Sequence, residues 1–524
     1  MKVLLITGVL AEDTVKRCAE ESSVETETLV LKMAVAALLT PQTIANALKN
    51  MKLADFNMIL VPGLVRGDTN VISIATGVPA FKGPRYAADL ATVLDSLCEI
   101  QLSTNVSADD LLREKLQQKA LQEIEKTEHN REELLNKPGS MLIGNLAVGK
   151  EFPMRVLAEI VDAALMDKEM IQQTAKRFVA AGADVVDVGM VAGESQPEKA
   201  KRMVRWVKQV VDVPVCIDTL DPAEIEAAVQ AGAELVLSGD AGNIEGIAPF
   251  ASKVAVVIIP TNQRQGYFPK KAQDRVKYLE EIIEKAKKLG ITRCLADLIL
   301  DPCDVLESFI AFKEFAARNP AVPLFVGVSN VTELMDADSV GVNALLARLS
   351  QDVGASMLLA TEKSDKAKGT VAEEVAAAKM MFLAKKRGSV PKDLGIDLLI
   401  LKDKRTYEEP YDKKLEVGTK IVHVSEKSEP ATLDSMGIFK ILIDRSEGVL
   451  VALHYVSLDM TKPLNIIKGK TADGVYSKIV YKGLVSKLEH AAYLGSELAK
   501  AEIALRTGKE YVQDKMMFGE LMEY

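Results

Sequence analysis

Through the middle of this sequence, one apolar run after another ends on an oxygen-bearing side chain. The runs are AEIVDA with Glu159 and Asp162, ADVVDVGM with Asp187, and VCIDT with Asp218. LVLSGDAGN carries Ser238, Asp240 and Asn243, and ADLILDP carries Asp297 and Asp301. VGVSN ends on Ser329 and Asn330, and a last run ends on Thr361, Glu362, Lys363 and Ser364. Gathered in one place, these groups accept hydrogen bonds and positive charge. Such a ring suits a hard cation, Mg2+ or Ca2+. It equally suits a flat heterocycle with adjacent N–H donors, which one carboxylate accepts as a pair. Any one of these Asp residues could instead cap a helix or mark a turn; Asp187, Asp218 and Asp297 on a single rim point to a ligand. Other chemistry is excluded. The four histidines are at 129, 423, 454 and 490, so no His base or His-ligated metal serves the stretch from 130 to 422. The five cysteines at 18, 98, 216, 294 and 303 form no CxxC pair, which argues against a thiolate metal site or a disulfide scaffold.

These residues meet only if the elements carrying them converge. Strands are predicted at 154–161, 184–188, 213–217, 234–238, 254–259, 294–300, 323–328 and 355–361. Helical stretches intervene and follow, for example at 169–181, 196–211, 222–232, 271–289, 304–318, 339–352 and 371–387. Eight strand–helix units in about 235 residues is the rhythm of a (β/α)8 TIM barrel, whose functional groups stand at the carboxyl ends of the strands. A β-hairpin, MLIGNLAVG from 141, precedes the first barrel strand.

The fold class expected is α/β: a central TIM barrel at 141–390, an N-terminal Rossmann-like α/β domain at 1–105, a helical linker at 106–140 and a small α+β domain at 391–524. In the first domain, KVLLITG, ETLVLK and DFNMILVP read as strands with helices between them, and Gly8, Gly63, Gly67 and Gly83 fall at or after strand ends. There is no GxGxxG and no Walker motif, so a nucleotide site there is a weak reading. The linker, 107–137, is rich in Glu, Lys, Gln and Leu without Gly or Pro, and reads as one long exposed helix capped near Ser107 and Asp110. In the last domain, DLLILK, TKIVHVS, FKILIDR and VLVALHYV read as strands, with helices near 471–482 and 487–507 and a tail from Tyr511. The composition is that of a globular protein, 48% apolar, with a net charge of −9. That balance argues against nucleic-acid or anionic-membrane partners. No signal or membrane segment is read, so the cytoplasm is the expected compartment.

GADVVDVGM, PVCIDT, GAELVLSGDAGN, the run from Asp297 to Pro302 and GVSN resemble the pterin-binding superfamily of barrels. That superfamily includes dihydropteroate synthases and methyltetrahydrofolate–corrinoid methyltransferases. The resemblance covers about 141–388, and the whole chain is similar to long dihydropteroate synthase-related proteins of tetrahydromethanopterin users. It implies that Asp218 contacts the pterin ring, that Asp297 grips the pyrimidine edge, and that Asp187 lies near the diphosphate and the first loop. The superfamily's fourth-strand Asn is replaced by Leu237 or Ser238, with Asp240 or Asn243 as substitutes. Two departures stand out. The seventh strand ends in Ser329-Asn330-Val331 rather than Ser-Arg-Lys, and the eighth lacks RxHD but is followed by Lys363, Ser364, Lys366 and Lys368. Those lysines are candidates for a diphosphate, and Glu159, Asp162, Asp301 and Ser329 complete the expected substrate-binding set. The segment from about 437, with ALHY, GKTADGVY, GLVSKLEHAAYLGSEL and YVQD, resembles a small domain of unknown function. His454 and His490 within it are expected to be structural.

The resemblance implies a transferase that condenses a dihydropterin-methyl diphosphate with an arylamine in tetrahydromethanopterin or folate-like cofactor synthesis. Mg2+ is expected at most with the diphosphate, and no residue is assigned as a metal ligand. Two alternatives remain open. One is a methyl-pterin-dependent methyltransferase with a corrinoid protein partner and Asn330 at pterin N5. The other is a non-catalytic pterin-binding protein. The resemblance also implies a homodimer. Loop 261–267 (TNQRQGY) reads as a surface loop, with a mobile lid as the alternative.

Overall fold

Alternating strand and helix patterns in the first 400 residues leave most of the parallel strands apolar on both faces, which requires helices on both sides. The computed structural model describes residues 1–98, 100–193, 195–402, 413–422, 433–456 and 462–518. It divides into two compact units, Met1–Leu398 and Leu399–Tyr524.

The first unit begins with a parallel sheet of Lys2–Gly8, Glu25–Leu31, Met58–Val61 and Ala80–Lys82, in the order second, first, third, fourth. Leu4, Ile6, Ile59 and Val61 pack with Ile44, Leu48 and Ile72 of the helices on one face. Val3, Leu5 and Leu60 pack with Cys18, Leu90 and Val93 on the other, so the domain is doubly wound. The fourth strand, too short to show a pattern, was not among those predicted.

The linker is not one exposed helix. It breaks into Ala108–Leu111, Arg113–His129 and Arg131–Leu135. One face of the middle piece lies against the barrel. Ala120 is fully buried, Glu123 pairs with Arg387 at 3.5 Å, and Glu128 pairs with Arg155 at 2.8 Å. Charges that look like a solvated face therefore serve partly as docking contacts.

Eight parallel strands close the barrel: Arg155–Ile160, Val185–Gly189, Val215–Asp218, Leu235–Gly239, Ala255–Ile258, Cys294–Ala296, Leu324–Val326 and Ala355–Thr361. Inward-facing Leu157, Val185, Cys216, Leu235, Val257, Leu295, Phe325 and Met357 fill its centre. The hairpin of Met141–Ile143 and Leu146–Val148 adds Ile143 and Val148 to the same cluster. A helix not predicted, Ile244–Ala251, follows the fourth strand with Pro249 inside it, the residue that hides its helical pattern. The sixth strand is four residues shorter than predicted, because Ile299 takes a left-handed backbone (φ 63°) that no strand accommodates.

In the second unit, Ile438–Asp444, Val449–Tyr455 and Asn465–Gly469 form an antiparallel sheet in sequence order. Helices Ala472–Tyr481 and Leu488–Thr507 cover one face through Val475, Ile479, Leu494 and Leu498. DLLILK forms no strand and leaves Leu399, Ile400 and Leu401 exposed. TKIVHVS forms no strand over 419–422 and from 423 lies outside the described residues. The tail is tied down: Gln513 accepts the amide of Ile441 at 2.8 Å and donates to the carbonyl of Phe439 at 3.1 Å. His454 bonds the Met436 carbonyl at 2.8 Å, and His490 bonds Asp434 at 3.1 Å. Among the described residues no helix is long and apolar enough to cross a membrane.

Candidate functional site

Strand register decides which acids meet. Glu159 pairs with Asp187, Asp187 with Cys216, and Asp218 with Gly189 and Leu237. Side chains two residues apart on a strand share a face. Leu157, Val185 and Cys216 point inward, so Glu159, Asp187 and Asp218 point inward one step nearer the carboxyl end. The three carboxyls form an acidic layer on top of the apolar one, each offering an oxygen within 4.8 Å of the others. Gly189 makes the layer possible, since a Cβ there would come within 2.5 Å of Glu159 Oε1.

The layer is buried at Asp187, half-buried at Glu159 and Asp218, and short of donors. Asp187 is fully buried, and among the described residues neither of its oxygens has a partner in good hydrogen-bond geometry. Burial, then the charges of Asp218 and Glu159, push its carboxyl well above the usual range. Burial and then Glu159 push Asp218 up to about 8. Burial and then Asp162 push Glu159 up to about 7, against the pull of Lys363. Like charges this close in a low dielectric cannot all ionise. The layer must hold protons, a hard cation or hydrogen-bond donors of a ligand. A divalent cation fits the donor set, three carboxylate oxygens in reach of one point.

Asp297 stands where the sixth strand ends. Its Oδ1 accepts the Ile299 amide at 2.8 Å, while Oδ2 has no protein partner among the described residues. Burial pushes it up to about 7, opposed by that N–H and by Arg275. Asn330 donates to the Leu300 carbonyl at 3.3 Å, which leaves its own side-chain oxygen open.

Other predicted residues are occupied in holding loops. Asp240 accepts four bonds, from the amides of Gly242, Asn243 and Gln263 and from the Thr261 hydroxyl. Asn243 bonds the Asp240 amide and the carbonyls of Leu220 and Ser238. Asp301 caps the Cys303 amide and pairs with Lys270 at 3.3 Å. Ser329 accepts the Thr361 amide at 2.7 Å. Asp162, itself left-handed, pairs with Lys363 at 3.0 Å. The Ser364 amide goes to Glu333 at 3.1 Å. Lys366 donates to the carbonyls of Thr332 and Met335, and Lys368 to that of Glu362. Each of these lysines thus has a protein partner, Lys368 within its own loop and Lys363 and Lys366 on the loops after the first and seventh strands. Loop 261–267 is a closed turn: Asn262 and Tyr267 exchange backbone bonds at 2.9 and 3.0 Å, and Gln263 is held by Asp240.

Sequence reasoning missed Glu333 and Arg275. Glu333 accepts Thr361, Lys363 and Ser364 and shapes the eighth loop. Arg275 is a fully buried cation in the first turn of Ala272–Lys288. Both sit on helices or helix ends, where a charged residue gives no signal distinct from a solvated face.

Residues 160–362 match the family described as pterin binding enzyme. Residues 1–85 match a family of unknown function (DUF6513), and 433–514 match the family PterinBD-DUF4346. An uncharacterized protein of Methanocaldococcus jannaschii is 41% identical over 532 residues, covering 99% of each chain. A Ycf91-like protein of Nostoc is 33% identical over 106 residues, 16% of this chain and 84% of its own. Among solved structures, Yersinia pestis dihydropteroate synthase with a pterine-sulfa conjugate is 18% identical, covering 47% of this chain and 99% of that one, at a TM-score of 0.39. The Xanthomonas albilineans enzyme with 7,8-dihydropteroate is 19% identical over 46% of this chain and 96% of that one, at 0.37.

Proposed function

Since the chain belongs to one family with the Methanocaldococcus jannaschii protein, and its barrel carries the pterin-binding-enzyme domain, we propose that the barrel mouth binds a dihydropterin and condenses its 6-methyl diphosphate with an arylamine. The observation that carries this reading is the open Oδ2 of Asp297, on a carboxyl whose other oxygen is fixed. Paired pterin donors, the 2-amino group and N3–H, match a carboxylate held in one plane. Asp218, and with it Glu159, would accept the remaining ring N–H.

The reaction asks little of acid–base catalysis. The arylamine nitrogen forms a bond to the pterin methylene carbon, the carbon–oxygen bond to diphosphate breaks, diphosphate leaves with the electron pair, and the amine proton passes to water. Orientation of the two reactants and charge stabilisation are what the protein must supply. The acidic layer serves orientation. Where the layer instead holds a divalent cation, Glu159, Asp187 and Asp218 would be its ligands, and the cation would supply positive charge for the diphosphate.

One observation favours a second reading. Asn330 stands where a synthase has Lys nearby, with an open carbonyl oxygen. That group suits pterin N5 in a methyl transfer to a corrinoid protein. Incubation with 6-hydroxymethyl-7,8-dihydropterin diphosphate and 4-aminobenzoate, read by chromatography, decides between them. Formation of dihydropteroate supports the synthase. No product there, with methyl transfer from a methyl-tetrahydropterin to cob(I)alamin, replaces it by the second reading. Cytoplasmic location and a homodimer are part of the same proposal.

A further inference from the structure

Arg275 touches five groups, four on two loops and one on the helix Val305–Arg318, and its side chain is wholly enclosed. Its Nε donates to the carbonyl of Pro269 at 3.1 Å, and Nη1 donates to the carbonyl of Ile299 and to Ser308 Oγ, both at 2.9 Å. Among the described residues Nη2 has no hydrogen-bond partner, and it lies 3.7 Å from Asp301 Oδ2. The guanidinium also stands 4.6 Å from the centre of the Phe268 ring.

Ile299 is the residue through which this matters. Its left-handed backbone (φ 63°) is disfavoured for a β-branched side chain, so the surroundings must hold it. Its N–H is taken by Asp297 Oδ1 at 2.8 Å, and its C=O by Arg275. The residue is thus clamped on both sides: one grip is the guanidinium, the other is the carboxyl that faces the mouth. Releasing the guanidinium frees Ile299 to return to an ordinary conformation. Its N–H then leaves Asp297, and the carboxyl loses its fixed plane.

We propose that Arg275 is a positioning residue of the barrel site, which sets the orientation of Asp297 through Ile299 without touching ligand. The inference rests on the pterin reading of the pocket. A buried arginine reaching two loop carbonyls is a costly way merely to fill space, since apolar residues of that volume pack as well. Its fork delivers two directed donors, which a lysine cannot reproduce in full.

The test is a double-mutant cycle in the full-length protein, read by fluorescence titration with 6-hydroxymethylpterin. Arg275→Met is expected to weaken binding about tenfold and Asp297→Asn by more than about tenfold, and the double variant no more than about twofold beyond Asp297→Asn alone. Arg275→Lys should recover part of the loss and should raise the pH midpoint of binding, because Asp297 then has less help in ionising. If Arg275→Met does not fold, the Arg275→Lys cycle and its pH midpoint decide. Losses that multiply, or an unmoved midpoint in a folded Arg275→Lys, overturn the role of Arg275 while leaving Asp297 in the site. If Asp297→Asn binds as the parent does, the reading of the pocket fails, and this inference fails with it.

Discussion

Glu159 Oε1 occupies the space that a side chain at Gly189 would enter: a Cβ there would lie 2.5 Å from it and 3.1 Å from the Ile160 carbonyl. Two neighbouring barrel strands thus share one volume, and Glu159 holds it. Gly189→Ala must turn Glu159 away, at a cost of about 1–3 kcal/mol as in other overpacked sites. Pterin affinity should fall about fivefold or more. Adding Glu159→Ala should restore most of the melting temperature but not the affinity. A double variant as unstable as Gly189→Ala would place the clash at the Ile160 carbonyl instead.

Ligand affinity should depend on pH through Asp297. Its ionised form accepts the pterin donors, and burial pushes its pKa up to about 7. Affinity should therefore fall about tenfold per pH unit below that point, the response of a single proton. Asp297→Asn should weaken binding by more than about tenfold, because a charge-assisted pair of bonds is lost, and should flatten the profile. A profile unchanged in the variant would assign the titration to Asp218 or Glu159.

The stability of the ligand-free protein should move the opposite way. Asp218 is raised to about 8, and Glu159 and Asp297 to about 7. Unfolded carboxyls titrate near 4, so between roughly pH 4 and 8 the folded state binds more protons than the unfolded. Stability is therefore greatest at the acidic end of that window and is lost as pH rises through it. Thermal melts from pH 5 to 8 should show a falling midpoint. Asp218→Asn should reduce the slope, because it removes one raised group and a charge facing Glu159. A flat or rising midpoint would mean that the layer holds something other than protons.

What was legible in the sequence, and what was not, has a physical reason. The barrel strands are buried on both faces, so each reads as a short apolar run ending in Asp, Ser or Glu, and the acidic layer follows from register alone. Asp187, Asp218 and Asp297 were visible for that reason. The linker was misread because Glu123 and Glu128 look like solvated charges until Arg387 and Arg155 meet them. The short sixth strand was misread because nothing in LADLILDP announces that Ile299 turns left-handed. Arg275 is a charge on a helix, and only three-dimensional packing reveals that it faces inward.

Asp240 separates a loop-holding role from a ligand role. It is buried, and its two oxygens accept four bonds that join the loop after the fourth strand to the turn at 261–267. No acceptor capacity remains in good geometry for a pterin. Asp240→Ala leaves three amides and a hydroxyl without their acceptor in a partly buried place, which typically costs about 2–4 kcal/mol in total. Asp240→Asn should cost less, since one oxygen survives, but its amide would face the Thr261 hydroxyl or the Gln263 amide as a donor. Thermal melts should thus rank Asp240→Ala below Asp240→Asn and both below the parent. For whichever variant remains folded at the assay temperature, pterin affinity should stay within about threefold of the parent. A stable Asp240→Asn protein with affinity reduced tenfold or more would return Asp240 to the ligand site, and the turn at 261–267 would then have to open for it to reach the ring.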